Sequence, residues 1–122
     1  MTIHEYQQLA LRTLNPQLNK KDVLINGVMG LCGESGEAID IVKKWLAQGH
    51  GLDKEKLAKE LGDIAWYLAE TAAAIDMPLE DILQANIDKL KGNGYHTVWK
   101  NRIHIGEHIP ILYSANNKRQ CT

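Results

Sequence analysis

Four acidic residues fall in two short, similar frames, Glu34-x-x-Glu37 and, beyond residues 38–59, Glu60-x-x-Asp63. On a helix, positions i and i+3 share a face, so each frame sets two carboxylates about 60° apart. Carboxylates gathered closely repel one another and raise each other's pKa unless cations neutralise them. All-oxygen acidic ligands suit the hard cations Mg²⁺ and Mn²⁺ rather than zinc, and Mg²⁺ completes its shell with water and substrate phosphates. The pattern therefore points to phosphate chemistry. Either frame alone reads as a solvated helix face. Taken together, the two leave a metal site and a solvated face both open.

Glycine stands at every third position from Gly27 to Gly36, through the first acidic frame. A phosphate-cradling P-loop would need a lysine followed by serine or threonine after its last glycine, and a dinucleotide fingerprint would need Gly-x-Gly after an apolar strand; neither is present. The surroundings are helical instead. Leu24, Val28, Leu31, Cys32, Ile39, Val42 and Leu46 recur at helical spacing and predict one long helix from about Asn19 to Gln48. Asn19 is the expected N-cap and Gly49 the stop. Each interior glycine costs a helix about 1 kcal/mol relative to alanine, so the row implies a close approach of another backbone or a ligand beside Glu34 and Glu37.

The second acidic frame lies on another predicted helix, capped by Asp53 and running from Lys54 to Ile75. Leu57, Leu61, Ile64, Leu68 and Ile75 form its expected core stripe, and Glu60, Asp63, Tyr67 and Glu70 share a sector displaced from that stripe. The displacement matches that of Glu34 and Glu37 in sense. Because only Gly49-His50-Gly51-Leu52 joins the two helices, they should pack antiparallel and bring the acidic pairs level. Two further helices complete the reading. One runs from about Ile3 to Leu14 behind a capping box in Thr2-Ile3-His4-Glu5; the other has Pro78 near its first turn, lasts to about Lys91 and ends at Gly92-Asn93-Gly94.

At 122 residues the chain suits one domain, with 44% hydrophobic and 24% charged residues. A net charge of −1 with scattered lysines offers no basic footprint, which argues against nucleic acid as a partner. No stretch is apolar and long enough to span a membrane and no signal-peptide pattern opens the chain, so the expected location is the cytoplasm. Cys32 and Cys121 lack metal or disulfide spacing, and Cys32 reads as a small core residue.

Gly33-Glu34-Ser35-Gly36-Glu37 followed by Lys59-Glu60-Leu61-Gly62-Asp63 resembles the signature of the all-α, MazG-like nucleoside triphosphate pyrophosphohydrolases. The likeness extends to Glu5-Tyr6-Gln7, Arg12-Thr13, Lys43-Lys44, Gly49-His50, Trp66-Tyr67-Leu68 and Asn86-Ile87-Asp88-Lys89-Leu90, covering roughly residues 2–91. It implies an all-α bundle of four to five helices that cleaves a nucleoside triphosphate between the α and β phosphates, yielding a nucleoside monophosphate and pyrophosphate. Carried over by position, Glu34, Glu37, Glu60 and Asp63 would hold Mg²⁺, with Mn²⁺ able to substitute. One acid, Glu37 first and Glu34 second, would act as base toward the attacking water.

Lys44, Tyr67, Asn86 and Lys89 are the expected substrate contacts, each weighed against an ordinary surface or packing role. Trp45 and Trp66 read as core residues or base-stacking platforms, and His50 as a turn residue. The resemblance also implies a homodimer or homotetramer. It ends after Lys89, where Gly92-Asn93-Gly94-Tyr95-His96 replaces the family's basic residue and Tyr-Pro-Asp-Gly-like ending. The expected division is a helical domain over residues 1–98 and an irregular or partner-packing tail over 99–122, whose Trp99, Ile103, Ile105, Ile109, Ile111, Leu112 and Tyr113 are apolar for a linker. Two rival functions remain at this point: a phosphoribosyl-ATP pyrophosphatase-like enzyme, and a non-catalytic bundle binding a protein through its tail.

Overall fold

A computed structural model of the chain describes residues 1–91. It is all-helical there: α1 spans Ile3–Leu11, α2 Lys20–Ala47, α3 Lys54–Ala74 and α4 Leu79–Leu90. The domain boundary at residue 98 and the apolar tail lie outside the described residues. None of the described helices is long and apolar enough to cross a membrane.

The helix starts follow their caps. Thr2 and Glu5 form the expected capping box, Asn19 accepts from the Asp22 backbone N–H at 2.9 Å, and Asp53 accepts from that of Lys56 at 2.9 Å. Gly49 takes the left-handed φ of +68° that ends α2, a conformation costly for residues with a Cβ. One end differs from expectation, and the start of α4 falls beside Pro78 as expected. α1 stops at Leu11 rather than Leu14, because the chain tightens into i→i+3 bonds (Thr13 N to Ala10 O, Leu14 N to Leu11 O) and the Thr13 hydroxyl also donates to Ala10 O at 2.8 Å. α4 begins after Pro78, which occupies the N-cap position but has no side-chain acceptor. Gln7 of α1 supplies that acceptor, its Oε1 receiving the Leu79 N–H at 2.9 Å.

Gln7 is fully buried and also donates to Ala69 O at 3.2 Å and Met77 O at 3.4 Å, so one side chain joins α1, α3 and the turn into α4. Around it lies the core cluster of Ala10, Ala69, Ala72 and Leu79, with Tyr6, Trp66 and Ile82 packed against it. Trp66 donates from Nε1 to Ala10 O and to the Thr13 hydroxyl, which settles it as a packing residue. α3 is thus the central element. α1 and α4 pack on it and on each other, while α2 packs on α3 and on neither of the others among the described residues.

That arrangement corrects the expected core stripes. On α2, Leu24, Leu31 and Val42 are half-buried, but Val28, Cys32, Ile39 and Leu46 are exposed. On α3, Leu57 and Ile64 are half-buried, but Leu61, Leu68 and Ile75 are exposed. The two helices meet instead along their small-residue sides, where Gly27 and Gly30 of α2 lie against Thr71 and Tyr67 of α3. Small residues at a helix contact let the axes approach, and the apolar stripes are rotated out of the seam as a result.

Glu70 lies in this seam and is buried. Burial raises its pKa above the ordinary value of 4.5, opposed by a hydrogen bond from Asn26 Nδ2 to Oε1 at 3.0 Å, and Oε2 has no partner. A raised folded-state pKa favours the neutral carboxyl in the fold. Its contribution is therefore complete below the unfolded-state pKa and is lost as pH rises through the folded value.

Two predictions follow from these buried groups. Gln7→Ala removes three hydrogen bonds and strands buried backbone groups, so urea unfolding should show a loss of about 2–4 kcal/mol. Glu70→Gln should be more stable than wild type at neutral pH, with the difference shrinking as pH falls to the ordinary carboxyl range; equal stability at every pH would show that Glu70 ionises freely.

Candidate metal centre

The α2–α3 hairpin aligns Glu34 with the second acidic frame. One carboxylate oxygen from each of Glu34, Glu60 and Asp63 lies within 4.8 Å of the other two. Glu34 and Glu60 are half-buried and Asp63 is exposed, so the group opens to solvent on one side. The register comes from the seam. With Gly27 opposite Thr71 and Gly30 opposite Tyr67, an antiparallel pair places Glu34 one helical turn further on, opposite Asp63.

The electrostatics carry the mark of crowding. Glu34 has its pKa raised from 4.5, first by partial removal from water, then by the Asp63 charge, a hydrogen bond with Glu60, and the charges of Glu60 and Glu37. No cationic side chain is among the causes of that shift. Three converging carboxylate oxygens are a donor set of the kind a hard cation takes.

Glu37 stands one turn beyond Glu34 on α2, exposed and outside the three-acid group. Its charge still reaches both Glu34 and Lys44. Lys44 pairs with Asp40 at 2.6 Å, which raises the Lys44 pKa and lowers that of Asp40, so the lysine stays protonated on the flank beyond Glu37. Tyr67 packs its ring over Gly30, one turn from Asp63 and edge-on to Trp66 at 5.0 Å between ring centres. Asn86 and Lys89 stand exposed on α4, a helix that packs against α1 and α3 and not α2. His50 and Trp45 are exposed near the end of the hairpin.

Tyr6 of α1 is a neighbour that spacing alone does not single out. α1 packs against α3, and the Tyr6 phenol pKa is raised by burial and by the Asp63 charge. Only the pairing of α1 with α3 reveals this. Gly33, Gly36 and Gly62 face open space, leaving the approach to the acids uncluttered.

The glycines divide into two kinds, and this is testable. A Cβ at Gly30 would overlap the Tyr67 ring, whereas one at Gly33 would meet nothing within 4 Å. Gly33→Ala should stabilise the helix by up to about 1 kcal/mol. Gly30→Ala gains the same propensity but forces Tyr67 aside, with overpacking of about 1–3 kcal/mol setting the net loss. Chemical denaturation of the two variants measures the contrast.

A family model described as the MazG nucleotide pyrophosphohydrolase domain matches residues 26–97, more than half the chain and all of both acidic frames. A "Gene 37 protein" of Mycobacterium phage L5 is 40% identical over 67 residues, covering 52% of this chain and 59% of that protein. The chain thus spans about three fifths of this curated relative's length. No solved structure matches.

Proposed function

Because the chain belongs to the MazG nucleotide pyrophosphohydrolase domain family, we propose that it is a Mg²⁺-dependent hydrolase cleaving a nucleoside triphosphate between the α and β phosphates. The products are a nucleoside monophosphate and pyrophosphate. The observation that carries this reading is the convergence of Glu34, Glu60 and Asp63, whose carboxylate oxygens lie within 4.8 Å of one another.

These three acids would hold Mg²⁺, with Glu37 completing the ligand set from its position one turn along α2 and Mn²⁺ able to substitute. A divalent cation there supplies positive charge against a polyphosphate and acidity to the attacking water. Glu37 is the base in this scheme: it is exposed, lies beside the acidic group, and can take the proton of the water through its carboxylate. Lys44 offers its ammonium to a phosphate on the same flank by exchanging its partner Asp40. Tyr67, held by Gly30, offers a phenol beside the acids, and Asn86 and Lys89 of α4 are the remaining substrate contacts. The protein works in the cytoplasm as a homodimer or homotetramer.

Pyrophosphate release from a panel of canonical and modified ribo- and deoxyribonucleoside triphosphates, with Mg²⁺ and with EDTA, tests the reading. Wild type should turn over at least one substrate only with the metal. Glu37→Ala should lower kcat by about 10²–10⁴-fold while the circular dichroism spectrum is unchanged. Failure of wild type to cleave any nucleotide would sink the assignment.

A further inference from the structure

Glu70 is a buried carboxyl for which the functional reading has no use. It is 1% exposed, stands two turns beyond Asp63 on α3, and carries one bare oxygen, Oε2. Its other oxygen, Oε1, accepts from Asn26 Nδ2 at 3.0 Å, the amide reaching in from the exposed rim of α2. Burying a carboxyl with an oxygen unpaired costs free energy relative to an apolar side chain of the same size. Stability therefore does not account for Glu70. A bond with a fixed direction across the seam can do what packing there cannot.

The seam is close but smooth. Gly27 and Gly30 have no side chain to lodge between the ridges of α3, and Thr71 and the Tyr67 ring rest on bare backbone. Such contacts keep two helices together while resisting a slide along the axis only weakly. Among the described residues, the Asn26–Glu70 bond is the one side-chain hydrogen bond between α2 and α3 outside the acidic group. Asn26 is eight residues from Glu34 and Glu70 is seven from Asp63, about 12 and 10.5 Å along their helices. A slip of one residue moves one helix about 1.5 Å past the other and turns its faces by about 100°. Mg²⁺ holds its oxygens at about 2.0–2.1 Å in near-ideal octahedral array, and functional sites tolerate displacements of about 0.5 Å. The convergence of Glu34, Glu60 and Asp63 is therefore sensitive to register. A polar contact between packed helices is an attested way of fixing register at some cost in stability.

We propose that Glu70, through its hydrogen bond with Asn26, is a positioning residue for the acidic group: the bond locks the register of α2 against α3 and so holds Glu34 level with Glu60 and Asp63. Glu70 itself touches neither metal nor substrate. The chemical consequence of the lock rests on the metal-dependent reading above, whereas the lock is a matter of helix register and is measured without metal.

Spin labels on the exposed Cys32 of α2 and on Glu55→Cys of α3 report that register as a distance, measured by double electron–electron resonance in a full-length Cys121→Ser chain diluted with unlabelled protein. Three variants separate the bond from charge and packing. Glu70→Gln removes the charge and keeps the acceptor, Glu70→Met removes both at similar size, and Asn26→Ala removes the donor from the rim. Glu70→Gln is expected to keep the parent's single narrow distance and its Mn²⁺ affinity. Glu70→Met and Asn26→Ala are expected to broaden the distance or shift it by about 1.5 Å or more, and to weaken Mn²⁺ binding by about tenfold or more, with the helical spectrum unchanged. Glu70→Met should withstand urea at least as well as wild type. A Glu70→Met chain that keeps the parent distance, or that loses it while binding Mn²⁺ as wild type does, overturns the proposal. Should that chain fail to fold, Asn26→Ala decides by the same two readouts. A wild type that binds no Mn²⁺ strikes the metal reading instead, and the lock is then judged on the distances alone.

Discussion

Gly27 and Gly30 allow the backbone of α2 to lie directly against Thr71 and the ring of Tyr67, and this close contact sets both the spacing and the register of the α2–α3 pair. A side chain at either position would push the helices apart or slide them. One turn further along, the same register brings Glu34 to Glu60 and Asp63. The helical propensity given up at these two glycines, about 1 kcal/mol each, is offset by a contact no larger residue could make. The acidic group exists because the seam is narrow.

A narrow seam has a second consequence. Helices that meet through glycines set against a threonine and a tyrosine ring leave many of their large apolar side chains out of the seam, and those stand on the flank. Within the described residues the internal core is correspondingly small and rich in alanine. Much of the specification comes from polar groups instead. Gln7 is buried and links three segments, and the Lys20–Asp76 ion pair ties the start of α2 to the turn after α3. Buried hydrogen bonds of this sort select one packing among several that an alanine-rich interface would tolerate.

Local features were readable from the residues alone. The caps at Thr2, Asn19 and Asp53, the stop at Gly49, the hairpin and the convergence of Glu34 with Glu60 and Asp63 all follow from short-range rules of spacing and backbone geometry. What periodicity could not supply was the partner of each face. A stripe such as Val28, Ile39 and Leu46 has the same spacing whether it is buried inside the chain or left exposed, as it is here. The influence of Asp63 on Tyr6, Gln7 capping α4 and the buried Glu70–Asn26 pair all depend on the packing of distant segments. No local pattern encodes these.

The claim on which the rest turns is that the crowded carboxylates bind a divalent cation. The most direct measurement is a Mn²⁺ titration followed by electron paramagnetic resonance, comparing wild type with Glu34→Gln and Glu60→Gln and with Glu55→Gln as a distant acidic control. The account predicts binding that either site substitution weakens by about tenfold or more and that the control leaves intact. Binding of equal strength in all four proteins, or none in wild type, would contradict it.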